Sequence, residues 1–257
     1  MNFFFSFKNH FLQSKLTIPR FNNSGKHDPS LKVFEANIDK NLWKINQVNC
    51  ELNENFYFID ESLTNNESIF FLAKEEDIKL IKKNKFSKLV DFNSFTRTSP
   101  VEYRSNLKVS IINGGFSSYQ SDYPFSMITK KGSILSPVSS LLNKSGDKNI
   151  ILIKNIFEEP IREKFNLFFV DLIKKKVLKN QVILTNFTNE IAVDSDLIEP
   201  NIYIYTNKYL GIPIYLTIKN KHISFEHTHP PHHYILSEDK FKKIAELKKE
   251  VHEIINT

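Results

Sequence analysis

The chain has 257 residues, 40% hydrophobic and 25% charged, so it is long and apolar enough to bury a sizeable core. This composition excludes a disordered chain, and we expect disorder only at the ends. The net charge is +6, but its lysines are scattered in short runs and no nucleic-acid-binding motif accompanies them, so we expect no specific nucleic-acid binding.

The first 32 residues contain Pro19, Pro29 and the turn-rich run FNNSGKHDPS, which predict an irregular lead-in that wraps the body. The start, MNFFFSFK, lacks the apolar segment and small-residue cleavage site of a secretory leader. No run approaches the ~20 apolar residues that cross a bilayer. We therefore expect a soluble, cytoplasmic protein without a transmembrane segment. Its N-terminal phenylalanines should pack onto the body, with a peripheral membrane anchor as the alternative.

Four β runs and one helix are predicted before residue 87. The runs LKVFEANI, LWKINQV, FYFID and SIFFLA have strand composition, and KEEDIKLIKKNKF (74–86) leads with acids and trails with lysines, as a helix does. The only cysteine, Cys50, excludes an intramolecular disulfide and a cysteine-based zinc site. We interpret Cys50 as a small half-buried residue rather than a nucleophile.

A strand over 106–115 ends at Gly114 and Gly115, and a segment rich in serine and tyrosine follows it. Glycines let a backbone approach a ligand closely, arginine holds anionic groups with a fork of donors, and tyrosine offers a flat apolar face. This pattern predicts a site for a small polar ligand, such as a carbohydrate derivative. The alternative is a long exposed loop with turn chemistry. The candidate substrate-binding residues are Arg104, Asn113, Tyr119, Asp122 and Tyr123.

Short strands separated by turns continue from 149 to 229, and an amphipathic helix closes the chain, with Ser237 as its predicted N-cap. We therefore predict a β-dominated α+β fold: a mostly antiparallel, sandwich- or barrel-like sheet with a C-terminal helix packed on it. We treat residues 1–257 as a single domain. A coarse division would separate an N-terminal α/β part (1–100) from a β-rich core with the C-terminal helix (101–257).

Five of the eight histidines lie between residues 222 and 233, in the run HISFEHTHPPHH. On a regular strand, His227 and His229 share the face of Ile223 and Phe225, about 6.5–7 Å apart, while Glu226 points to the other face. Pro230 and Pro231 end the strand, because neither can donate to a ladder. The turn that follows could return His232 or His233 toward the same point.

Three imidazoles, or two with a carboxylate, satisfy the ligand count of a catalytic zinc or iron site. We assign His227, His229 and His232 as candidate ligands of a divalent metal, zinc or iron, with Glu226 and His233 as candidate catalytic residues. A metal-free histidine base and a purely structural histidine cluster remain open alternatives.

The leading functional hypothesis is a metal-dependent or histidine-based enzyme, with hydrolysis favoured, acting on a small polar substrate such as a carbohydrate derivative. It requires the histidine run and the 113–123 segment to form one pocket. The alternative is a non-catalytic β-sandwich module that binds a glycan or a protein, with a structural histidine cluster.

Overall fold

The computed structural model describes residues 2–22, 25–83, 86–94, 104–227 and 236–257. Strands dominate this part of the chain, and every strand pairing given within it is antiparallel. The predicted β-dominated α+β class, with antiparallel sandwich-like sheets and a C-terminal helix, is confirmed. Neither α-helix within these residues is long and apolar enough to span a membrane.

The backbone forms two compact units, each assembled from segments that are not contiguous in sequence. The first comprises the described residues within 1–130 together with Ile156–Arg162 and Asn186–Thr188. The second comprises Lys131–Asn155, Glu163–Thr185 and the described residues within 189–257. The number of folding domains stays a prediction.

The first unit contains two five-stranded sheets and helix α1 (Glu75–Lys83). Its first sheet has the order β10-β1-β7-β3-β4, and its second sheet the order β5-β6-β2-β8-β9. The strands are β1 (Asn2–Phe4), β2 (Leu12–Pro19), β3 (Leu31–Asp39), β4 (Leu42–Gln47), β5 (Glu51–Leu52), β6 (Phe56–Ile59), β7 (Ile69–Lys74), β8 (Asn106–Ile111), β9 (Phe116–Tyr119) and β10 (Asp122–Pro124).

The predicted irregular lead-in is wrong, because residues 2–19 supply two strands of this unit. β2 is the middle strand of its sheet and alternates strictly: Leu12 and Leu16 are buried, while Gln13 and Lys15 are exposed. The period of two decides the structure of this segment, and Pro19 stands only at its last strand position. The N-terminal phenylalanines pack into the core, as expected: Phe3, Phe4, Phe5 and Phe7 are all buried.

The second unit contains two four-stranded sheets and helix α2 (Lys240–Asn256). One sheet has the order β11-β16-β13-β14, and the other the order β15-β12-β17-β18. The strands are β11 (Leu135–Pro137), β12 (Lys148–Asn155), β13 (Lys164–Asp171), β14 (Lys176–Leu184), β15 (Phe187–Ala192), β16 (Ile202–Thr206), β17 (Ile212–Lys219) and β18 (His222–His227). The first two residues of β15 belong to the first unit.

The layers of the second unit follow from which face each strand residue occupies. Ser136 pairs with Ile204, which pairs with Phe169, so these three residues share one sheet face. The Tyr215 hydroxyl of the other sheet donates to Ser136 Oγ at 2.6 Å, so the two sheets face each other there. The opposite face carries Phe168, Val170 and Tyr205, and α2 covers it with Val251 and Ile254.

Candidate functional site

The histidine run begins on β18, which among the described residues is an edge strand paired only with β17. Phe225 is buried opposite Leu216, and His227 is half-buried opposite Ile214, whereas Glu226 is exposed. The predicted alternation is therefore confirmed as far as His227. His229, His232 and His233 lie outside the described residues.

Of the three predicted metal ligands, only His227 is among the residues that the structure describes. Among the described residues, no group of three or more His, Cys, Asp or Glu side chains could hold a metal ion. Binding of zinc or iron by His227, His229 and His232, and catalysis by Glu226 and His233, stay predictions. The enzyme hypothesis derives no support from the described geometry.

Two of the predicted substrate-binding residues, Arg104 and Asp122, lie close together in the first unit. Asp122 is buried on β10; Ser105 Oγ donates to its Oδ2 at 3.1 Å, and Asn2 Nδ2 donates to its Oδ1 at 3.4 Å. Burial raises the pKa of Asp122, and the hydrogen bonds and the nearby charge of exposed Arg104 offset this only partly. Asp122 is thus already engaged by protein groups.

The other three predicted residues occupy three different environments. Asn113 has φ of 57° in the turn between β8 and β9, where an asparagine tolerates the left-handed conformation. Tyr119 is half-exposed at the end of β9, opposite Leu107. Tyr123 is fully buried in β10, and burial raises its pKa far above the ordinary value. The segment is therefore a tight hairpin and a further strand, not the long exposed loop offered as an alternative.

A feature that sequence reasoning missed lies on the second sheet of the first unit. One face of this sheet is largely buried, and on the other, here called the open face, every strand residue except the buried Pro19 is exposed or half-exposed. Three phenylalanine rings lie on it: Phe56, 37% exposed; Phe58, half-exposed; and Phe116, 64% exposed. The polar side chains between the rings are Gln13, Lys15, Thr17, Asn106, Lys108, Ser110 and Ser118.

The two lysines of the open face each contact a phenylalanine ring. Lys15 and Lys108 are directly opposite each other on β2 and β8, where like charges repel. Each ammonium group lies over a ring instead: Lys15 Nζ is 4.7 Å from the Phe58 centroid, and Lys108 Nζ is 4.1 Å from the Phe116 centroid. The rings thus have polar, cationic neighbours rather than apolar ones.

The charges around the open face balance. Lys15 Nζ lies 4.0 Å from a carboxylate oxygen of Glu51. Hydrogen bonds from Ser62 lower the pKa of Asp60, at the end of β6, and the charge of Lys15 lowers it further. Both carboxylates lie near Lys15, and among the described residues the charges of Lys15, Lys108, Glu51 and Asp60 sum to zero.

Comparison with known proteins gives no match: no family model, no curated protein and no solved structure corresponds to this chain.

Proposed function

We propose that the chain is a non-catalytic β-sandwich binding module, and that the open face of its first unit binds a neutral glycan. One observation carries the proposal: two exposed phenylalanine rings and one half-exposed ring are set among amide and hydroxyl side chains on a charge-balanced sheet face. The apolar C–H face of a sugar ring stacks on an aromatic ring, while its hydroxyl groups need donors and acceptors nearby.

The spacing of the rings suits an extended ligand. Phe58 lies on β6 in the row of Thr17, and Phe116 lies on β9 in the row of Gln13, three strands and four residues away. With strands ~4.8 Å apart and a rise of ~3.4 Å per residue, the two rings are roughly 20 Å apart across the sheet. An oligosaccharide of several units could contact both rings and the polar groups between them.

The lysines do not block the rings. An exposed cation–π contact is worth only ~0.5–1 kcal/mol, so a sugar can displace a lysine side chain from a ring face at low cost. The displaced ammonium groups of Lys15 and Lys108 then become hydrogen-bond donors for sugar hydroxyls.

Charge and composition favour a glycan over the other macromolecules. A nucleic acid is held by several cations that neutralise its phosphates, whereas Glu51 and Asp60 balance the lysines here. A stable protein interface needs a contiguous apolar centre, whereas Lys15 and Lys108 separate the Phe58 and Phe116 rings.

A glycan array probed with the full-length chain tests the proposal. Wild-type protein should bind a subset of neutral oligosaccharides, and Phe58→Ala and Phe116→Ala should each weaken binding about fivefold or more, since a stacked aromatic group contributes ~1 kcal/mol or more. Phe241→Ala is the matched control, because Phe241 is 65% exposed on α2 in the second unit. Binding that survives both ring substitutions, or no binding to any glycan, would overturn the proposal.

A further inference from the structure

The second unit contains a cleft of about 370 Å³ that the glycan proposal does not use. Its walls are the β17–β18 hairpin and the turn over residues 140–143. The polar side chains that line it are Ser140, Asn143, Thr217, Lys219, His222 and Ser224.

The hairpin places four of these side chains on one face. Asn220 and Lys221 both have positive φ, 49° and 62°, which makes the tight two-residue turn that matches the twist of paired strands. Lys219 is then directly opposite His222, and Thr217 opposite Ser224. Because side chains alternate along a strand, these two pairs point to the same side of the sheet.

The wall formed by the turn is fixed before any ligand arrives. Thr217 Oγ1 accepts from Asn143 N at 3.1 Å and donates to Asn149 Oδ1 at 2.7 Å, while Asn149 Nδ2 donates to the Asn143 carbonyl oxygen at 2.9 Å. Gly146 allows this approach, since a Cβ there would lie 2.6 Å from Thr217 Cγ2. Preformed walls reduce the ordering that binding requires.

The polar groups that line the cleft are mainly hydrogen-bond donors. It contains an ammonium group, an imidazole and several hydroxyl groups, and no carboxylate is among the described residues that line it. Lys219 Nζ donates to Ser145 Oγ at 2.7 Å, which holds the cation at the cleft. Asp147, directly before β12, accepts from the backbone N–H of Asn220 at 2.7 Å and is engaged by the hairpin turn.

We propose that this cleft binds a phosphate group, with Lys219 as the charged donor, His222 as an imidazole N–H donor, and Ser140 and Ser224 as hydroxyl donors. Donors that converge from both walls suit an anion with several acceptor oxygens, and a charge-assisted hydrogen bond is stronger than a neutral one. Leu141 in the same lining provides contact for an apolar group attached to the phosphate. This site is independent of the glycan proposal.

Titration of the full-length, ¹⁵N-labelled chain with inorganic phosphate, phenyl phosphate and benzoate at low ionic strength tests the site. Saturable shifts should appear at the amides of 140–143 and 222–224, with phenyl phosphate binding more tightly than phosphate. Lys219→Gln and His222→Gln should each weaken binding about tenfold, the loss of one charge-assisted hydrogen bond.

Lys164→Gln is the matched control, because it removes the same charge from an exposed strand position in the same unit. The affinity of this variant for phosphate and phenyl phosphate should equal that of the wild-type protein. Thermal melts check that each variant remains folded. The proposal is overturned if phosphate gives no saturable shifts, if the control loses as much affinity as the cleft variants, or if benzoate binds as tightly as phenyl phosphate.

Discussion

Two buried aspartates, Asp122 and Asp171, show how opposite environments act on the same side chain. Burial raises the pKa of Asp122, so the folded chain holds its proton more tightly than the unfolded chain does. Asp171 accepts from the backbone N–H groups of Ile173 at 3.0 Å and Lys174 at 2.8 Å in the β13–β14 turn, which lowers its pKa despite its burial.

The two shifts predict opposite pH effects on stability. A raised carboxyl pKa favours the fold at low pH, and this contribution is lost as pH rises through the folded-state pKa. A lowered pKa contributes stability above the ordinary value of 3.8, and this is lost as pH falls through the folded-state pKa.

At pH 7, Asp122→Asn should therefore leave the melting temperature unchanged or raise it. Asp171→Asn should lower the melting temperature by several degrees, because each weakened charge-assisted hydrogen bond reduces the free energy of unfolding by about 1 kcal/mol. Thermal melts between pH 3 and pH 8 measure both effects. Equal losses for the two variants at pH 7 would contradict this account.

Cys50 should be a slow nucleophile. Burial of its thiol raises the pKa to about 11, so little thiolate is present at neutral pH. Alkylation of the native chain by iodoacetamide should be slow at pH 7.5 and should accelerate tenfold per pH unit up to pH 10. A rate at pH 7.5 equal to that of the urea-unfolded chain would show that the thiol is not protected.

Among the elements, helix α2 gives the clearest test of packing. The sequence pattern correctly predicts a C-terminal helix on a sheet, but the buried stripe is shorter than the apolar stripe: Val251 and Ile254 are buried, whereas Phe241 is largely exposed. The helix begins at Lys240, after an Asp239 N-cap, rather than after the predicted Ser237.

Ile254→Ala should therefore lower the free energy of unfolding by roughly 2–4 kcal/mol, since it leaves a cavity against Phe168 and Val170. Phe241→Ala should change it by less than about 0.5 kcal/mol, as an exposed substitution does. Urea denaturation measures both. A comparable loss for the two variants would mean that the whole helix is docked.

Local sequence patterns predict where strands occur better than they predict which side of each strand is buried. The run FYFID is apolar at four positions, so its sequence gives no sign that Tyr57 and Ile59 are buried while Phe56 is exposed and Phe58 half-exposed. The exposed ring of Phe116 follows two glycines in a serine-rich run that predicts a turn. The open face exists only through pairing of β6, β2 and the β8–β9 hairpin, three segments that are far apart in sequence.

On the scale of the whole molecule, the metal hypothesis concerns the second unit and the glycan proposal concerns the first. If His227, His229 and His232 bind zinc or iron, tag-free protein should contain close to one metal per chain, and His227→Ala should remove it without unfolding the chain. Elemental analysis with thermal melts in chelator measures this. Metal far below one equivalent would contradict the metal hypothesis and leave the glycan proposal untouched.

The central claim is that the rings of the open face contact sugar directly. Aromatic ¹H–¹³C spectra of phenylalanine-labelled protein, recorded during titration with the tightest oligosaccharide from the array, test it most directly. The signals of Phe58 and Phe116 should shift to saturation, while those of the buried Phe70 should not move. Saturable binding that leaves the Phe58 and Phe116 signals unchanged would contradict the account.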